Sequence, residues 1–172
     1  MTTQNFTDTI AYIGLGGNLG DPAQTLRAAT ARLGEARGIT ILQSSPLFRT
    51  QPVDAPGPDY CNGVLEVHTR LSALGLLEHL LQTEQEFGRS RTAWHAPRTL
   101  DLDLISHGES RIISTQLTLP HPRAHERAFV LVPLCMLNPE VMLGGPDAAV
   151  LQPARVWRAQ LSRAETDQII AW

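Results

Sequence analysis

Residues 89–104 read RSRTAWHAPRTLDLDL, and the second half of this stretch decides the fold class. Leu100, Asp101, Leu102, Asp103 and Leu104 alternate with a period of two, the pattern of a β-strand whose successive side chains point to opposite faces. The leucines then face a core, while Asp101 and Asp103 emerge side by side on the other face. Two carboxylates on one face repel unless something positive joins them. The residues leave three candidates open: arginines of the preceding loop, a divalent cation, or solvent. In that loop Arg89, Arg91 and Arg98 surround Trp94-His95-Ala96-Pro97. Only the cation would make an active site by itself.

Working outward, Ser72 is a helix cap followed by an apolar line of Leu74, Leu77, Leu80, Leu81 and Phe87, with Gly88 at its end. Glu84 interrupts that line, so it either pairs with an arginine or points into a polar cavity. After the opening stretch, residues 106–109 read as a turn and residues 111–113 and 117–119 as short strands. Residues 120–129, PHPRAHERAF, then alternate His121, Arg123, His125 and Arg127 before the apolar, helix-like segment 130–137. The local pattern fits a solvated turn that opens a helix as well as it fits a site. Residues 138–146 read as a loop and residues 148–161 as a peripheral helix.

Toward the start of the chain, residues 9–15 form an apolar strand that enters a glycine-rich turn, Gly14 to Pro22. Asp21 is a good N-cap with Pro22 at the first helical position, so a helix is expected over 22–33. A dinucleotide fingerprint fails here, because Leu19 stands where the third glycine belongs. The glycines then read as a tight turn that needs positive φ. Residues 39–48 read as a second strand and 64–69 as a third. Between them lies a long, proline-rich loop, 51–59, of the kind that often carries binding function. Strands and helices that alternate without βαβ regularity indicate an α+β fold, a mostly antiparallel sheet flanked by helices.

Composition narrows the chemistry. At 172 residues the chain reads as a single domain, 1–172, large enough to bury a core unaided. All 14 cationic residues are arginine, which excludes Schiff-base, Walker-loop and protein-kinase lysine mechanisms. Bound phosphate would have to be held by arginine, histidine, backbone amides or metal. A net charge of −3 and the lack of a basic stripe give no footprint for nucleic acid. No apolar run is long enough for a membrane span, and Cys61 and Cys135 read as reduced core thiols, so the chain is expected in the cytoplasm.

Taken together, Pro97-Arg98-Thr99-Leu100-Asp101-Leu102-Asp103, the Phe48-Arg49-Thr50 segment with Tyr60 and Asn62, Pro120-His121-Pro122-Arg123 through Phe129, and Gly16-Gly17-Asn18-Leu19-Gly20-Asp21 form an ordered set. That set resembles the 6-hydroxymethyl-7,8-dihydropterin pyrophosphokinases of folate biosynthesis, over about residues 10–137. The resemblance implies a ferredoxin-like α+β sandwich with mobile loops over the site. It also implies transfer of diphosphate from ATP to the hydroxymethyl group of a reduced pterin, with release of AMP. Asp101 and Asp103 would be the ligands of two Mg2+ ions, and with Arg89, Arg91 and Arg98 they would form the catalytic set. Glu84, Arg89, Arg91, Arg98, Leu104, Thr118, His121 and Arg127 would bind ATP. Tyr60 and Phe129 would sandwich the pterin, Asn62 with the backbone at Thr50 and Val53 would read its edge, and Trp94 would close over it. ATP and the pterin are the only partners implied, for a monomer.

The chain departs from the family's usual pattern in three places. Trp94-His95-Ala96-Pro97-Arg98 stands where Arg-Trp-Gly-Pro-Arg is common, Gln51 where proline is common, and Gly17 where serine is usual. Two other readings compete: a non-catalytic nucleotide or pterin-binding domain with the same fold, and a structural ion network joining the aspartates to Arg89 or Arg98.

Overall fold

The computed structural model describes residues 8–52, 57–88, 99–144 and 150–172. Its centre is a six-stranded antiparallel sheet with strand order β10-β3-β4-β1-β5, in which β2 also pairs with β4. The strands are β1 (Thr9–Gly17), β2 (Ile39–Ser44), β3 (Phe48–Thr50), β4 (Tyr60–Thr69), β5 (Asp101–His107) and β10 (Ile170–Ala171). The helices are α1 (Pro22–Gly34), α2 (Ala73–Glu86), α3 (Ala128–Leu137), α4 (Ala154–Gln160) and α5 (Arg163–Asp167). Two short hairpins complete the described structure, β6 (Ile112–Ile113) with β7 (Thr118–Leu119) and β8 (Met142–Leu143) with β9 (Gln152–Pro153). The mostly antiparallel α+β architecture expected from the sequence is therefore present. None of the described helices is long and apolar enough to cross a membrane.

The period-two patterns explain why the sheet is covered on both faces. Ala11, Ile13 and Leu15 of β1 point down with Leu100, Leu102 and Leu104, where α1 and α2 bring Leu26, Leu33, Leu76 and Leu80. Tyr12, Val64 and Ile105 point up into a second core, built with Leu131 and Leu134 of α3. Helix α3 is apolar nearly all round, as suits a helix with little solvent exposure. The caps behave as their residue types require: the Asp21 side chain accepts the Gln24 N–H at 3.0 Å and Ser72 Oγ accepts the Gly75 N–H at 3.1 Å. At one end of the upper face Tyr12 donates to Glu66 at 3.0 Å and accepts from Asn138 at 3.0 Å.

Several boundaries differ from the sequence expectation. The single strand expected over 39–48 is two strands separated by Ser45-Pro46-Leu47. Pro46 has no N–H for a ladder, and Ser45 takes over locally: its N–H reaches the Val64 carbonyl at 2.9 Å and its Oγ accepts the Val64 N–H at 2.9 Å. Strand β4 starts at Tyr60 rather than 64. The glycines at 14, 16 and 17 belong to β1 rather than to a turn, and of this run only Gly20, at φ 64°, has positive φ. The expected helix over 148–161 is confined to α4 within the described residues, and α5 and β10 were not foreseen because segments of five and two residues carry no readable periodicity.

The buried line of α2 also shifts. It runs through Ala73, Leu76, Leu80, Thr83 and Glu84, while Leu74 is 42% exposed. Spacings of three and four residues from Ala73 put this set on one stripe. Leu80→Ala should therefore cost about 2–5 kcal/mol and Leu74→Ala less than about 1 kcal/mol, measured by denaturant unfolding.

Candidate active site

The register of β1 against its two neighbours builds the floor of a cleft. Gly14 lies opposite Asp103 on one side and Val64 on the other, and Gly16 lies opposite Asp101 and Asn62. A Cβ at Gly16 would sit 3.2 Å from Asn62 Oδ1, and one at Gly14 would sit 3.8 Å from Asp103 Cβ. The two bare positions thus leave open space between the aspartates and the asparagine. Beyond Asp103 the register shifts: Ile13 pairs with Leu104 and Tyr12 with Ser106. This bulge ends the regular alternation at Ile105.

The wall comes from the segment after β7. The His121 N–H donates to the Ile105 carbonyl at 2.8 Å, docking this segment on β5. His121 Nδ1 accepts the Arg123 N–H at 3.1 Å, which assigns the ring proton of the neutral form to Nε2. Burial, followed by the charge of Arg127, pushes the His121 pKa down to about 4. At neutral pH His121 is consequently an uncharged donor. Arg127 lies with Nη1 3.9 Å from Asp103 Oδ2 and its guanidinium 5.6 Å from the Phe129 ring centre. Burial works against the Arg127 charge, and Asp103 supports it.

Of the expected site residues, Asn62, Asp101, Asp103, His121, Arg127 and Phe129 line this one cleft. Thr50 joins them through Asn62, whose Nδ2 donates to Thr50 Oγ1 at 2.7 Å. Tyr60 pairs with Thr50 across β3 and β4, outside the set that lines the cleft. Two other side chains lie below the sheet. Leu104 is 3% exposed in the lower core, so its side chain is not a wall of the cleft. Glu84 is 1% exposed and accepts the Leu102 backbone N–H at 2.7 Å. The structure thereby adds to the two sequence readings of Glu84 a third: it caps an outward N–H of β5 between Asp101 and Asp103. Thr118 lies on β7 and does not reach the cleft. Arg89, Arg91, Trp94, Arg98 and Val53 lie outside the described residues.

Gly14 and Gly16 were missed as site residues. Their signal was present as glycines spaced by two at the end of an alternating strand, which in a strand interior mark close approach by something else. Asn18, part of the Gly16–Asp21 motif, donates its Nδ2 to the Pro58 carbonyl at 3.3 Å and ties the far end of the 51–59 loop to the end of β1.

As a metal site the cleft has a restricted donor set. Among the described residues, no group of three or more His, Cys, Asp or Glu side chains is placed to hold an ion. Two carboxylates without a third protein ligand fit magnesium, which keeps water and substrate phosphate oxygens in its shell, better than calcium or zinc.

Residues 12–139 match the family model described as 7,8-dihydro-6-hydroxymethylpterin-pyrophosphokinase (HPPK). The chain belongs to this family. A Synechocystis protein named 2-amino-4-hydroxy-6-hydroxymethyldihydropteridine pyrophosphokinase is 43% identical over 130 residues, covering 76% of this chain and 67% of its own length. A Bacillus subtilis protein of the same name is 38% identical over 153 residues, covering 88% of this chain and 92% of its own. Among solved structures, a Plasmodium falciparum HPPK-DHPS superposes with a TM-score of 0.71 at 13% identity over 92% of this chain. The superposition shows a shared ferredoxin-like α+β fold, and the chain spans 46% of that longer protein.

For an HPPK family member the cleft gives two immediate expectations. The first concerns pH. Because the folded His121 pKa lies below its unfolded value, unfolded chains bind the extra proton between about pH 6.5 and 4, and stability falls as pH falls through that window. The slope approaches at most about 1.4 kcal/mol per pH unit. His121→Gln should flatten it in chemical unfolding measured across that range. The second concerns the floor. Gly16→Ala should displace Asn62 Oδ1 and destabilise the chain by about 1–3 kcal/mol in denaturant unfolding, while Gly14→Ala, with only ordinary contacts around its methyl, should cost less than about 1 kcal/mol.

Proposed function

We propose that this chain transfers the β,γ-diphosphate of ATP to the hydroxymethyl oxygen of 6-hydroxymethyl-7,8-dihydropterin and releases AMP, as a single domain over 1–172. The observation that carries this reading is the pairing of an HPPK family match over 12–139 with one cleft that holds Asp101 and Asp103 beside Asn62 and Phe129. A domain that only bound a pterin would have no use for adjacent carboxylates facing it.

Each side chain has a task that its surroundings allow. With Nδ2 committed to Thr50, Asn62 turns its carbonyl toward the Gly16 side, where it can accept an N–H from a ring edge. Phe129, with Tyr60 from the start of β4, offers faces for a flat pterin, each worth on the order of 1 kcal/mol beyond burial. His121 Nε2–H and the Arg127 guanidinium would donate to phosphate oxygens, the first without charge and the second with it. Arg89, Arg91 and Arg98, together with Trp94 and the backbone of Val53, would complete the phosphate and pterin contacts from the adjoining loops. Glu84, Leu104 and Thr118 would serve the ATP side through the framework of β5 and β7.

Asp101 and Asp103 would hold Mg2+, two ions in our reading, which when bound with ATP neutralises phosphate charge and polarises the β-phosphoryl group. In the transfer a bond forms between the hydroxymethyl oxygen and the β-phosphorus. The bond from the β-phosphorus to the bridging oxygen breaks, and that oxygen leaves with AMP. The hydroxyl proton passes to solvent, so no dedicated side-chain base is needed. The work of the chain is alignment and charge complementarity. We place this activity in the cytoplasm and in a monomer.

The decisive experiment is a product assay with ATP, Mg2+ and the hydroxymethyl dihydropterin. AMP should form in equal amount to the diphosphorylated pterin, and formation of ADP, or no reaction, would overturn the reading. Asp101→Ala should lower kcat/KM by on the order of 10³-fold, as expected for loss of several kcal/mol of charge stabilisation. Tyr60→Ala should weaken pterin binding and spare a non-hydrolysable ATP analogue, measured by calorimetry.

A further inference from the structure

The family match ends at residue 139, yet the sheet is completed by residues well beyond it. Strand β3 is only three residues long and has two neighbours. On its inner side it pairs with β4, placing Phe48 opposite Asn62 and Thr50 opposite Tyr60. On its outer side it pairs with β10, Ile170 opposite Arg49 and Ala171 opposite Phe48. The Trp172 N–H continues this ladder by donating to the Leu47 carbonyl at 2.9 Å. The Arg49 guanidinium lies 4.8 Å from the Trp172 ring centre. A capping box at Ser162 and Glu165 fixes the start of α5, which leads into β10.

Thr50 is the last residue of β3 and the first fixed point of the 51–59 loop. It is 7% exposed, and its hydroxyl sets the orientation of the Asn62 amide through a 2.7 Å bond. A three-residue strand paired on one side only would hold Thr50 poorly, because short edge strands fray. We infer that residues 170–172, with Trp172 stacked on Arg49, act as a brace that positions the Thr50–Asn62 pair and thereby tunes recognition of the pterin. Trp172 is not among the residues that line the cleft, so its role is that of a positioning residue. The inference rests on the proposed role of Asn62 in reading the pterin edge. It gives the segment outside the family match a task in substrate selectivity rather than in phosphate chemistry.

The test uses the full chain carrying Trp172→Ala, Trp172→Phe, Arg49→Gln or Asn62→Ala. Trp172→Ala is expected to raise the pterin KM about fivefold and to leave the MgATP KM and kcat within about twofold. Trp172→Phe, which keeps a ring for Arg49 to stack on, should restore most of the loss. Arg49→Gln removes the cation without touching the ladder and should raise the pterin KM in the same direction, which keeps the test valid should Trp172→Ala fold poorly. In parallel, NMR exchange of the Asn62 side-chain amide should be slow in the wild type and faster in Trp172→Ala. An unchanged pterin KM together with an unchanged amide signal in Trp172→Ala and Arg49→Gln overturns the brace. A parallel rise of both KM values with loss of the thermal midpoint also overturns it, by showing a general structural role. If the amide responds but Asn62→Ala leaves the pterin KM untouched, the brace stands and the reading of Asn62 as the pterin contact fails.

Discussion

Holding two carboxylates side by side on an edge strand is the constraint on which the rest of the site depends. Asp101 and Asp103 occupy β5, which among the described residues has a sheet neighbour, β1, on one side only. An edge strand leaves outward N–H groups to be satisfied, and an unpaired one beside two acids would let the strand move. Glu84 meets this need from below by accepting the Leu102 N–H at 2.7 Å. Burying a carboxylate is costly unless its oxygens are well bonded, so this acid is tied to its place on α2 as firmly as β5 is tied to it.

The floor follows from the same register. With β1 between β4 and β5, Tyr12, Gly14 and Gly16 on its upper face each have a partner on both sides. Side chains at 14 and 16 would fill the space between Asp101, Asp103 and Asn62. Glycine at both positions keeps this strip open, and the lower face of the same strand, with Ala11, Ile13 and Leu15, remains fully packed. One strand therefore anchors the lower core with Ala11, Ile13 and Leu15 and forms the cleft floor with Gly14 and Gly16. The wall segment then brings a neutral donor at His121 and a cation at Arg127 against the acids. The gradient from neutral to positive donors arises from burial acting on an imidazole that ionises easily and on a guanidinium that does not.

Much of this was legible in residue order. The alternation at 100–104, the caps at Asp21 and Ser72, and the His/Arg alternation at 121–127 each carry a local physical signal, and the structure reproduces the element that each implies. The errors share a cause as well. Leu74 looks like part of a core stripe as a plain leucine, but a stripe is defined by what the helix packs against, and α2 turns Ala73 and Leu76 inward while Leu77 packs at the margin of the core. The glycines at 14 and 16 look like turn residues in isolation and become a floor only when Asp101, Asp103 and Asn62 are placed across from them. Glu84 shows the same limit of local pattern: the backbone amide of Leu102 that it accepts from lies 18 positions away, and only the packing of α2 under β5 brings the two together.

What the sequence determined by itself was periodicity and chemistry: which residues must share a face, which groups can carry phosphate when lysine is absent, and which family the ordered motifs resemble. Those properties depend on neighbours one to four positions apart, where backbone geometry alone relates side chains. Only the tertiary structure decided the cross-strand register that sets Gly16 between Asp101 and Asn62, the burial that keeps His121 neutral, and the pairing of β10 with β3. Each of these depends on contacts between residues far apart in the chain, which local patterns cannot encode.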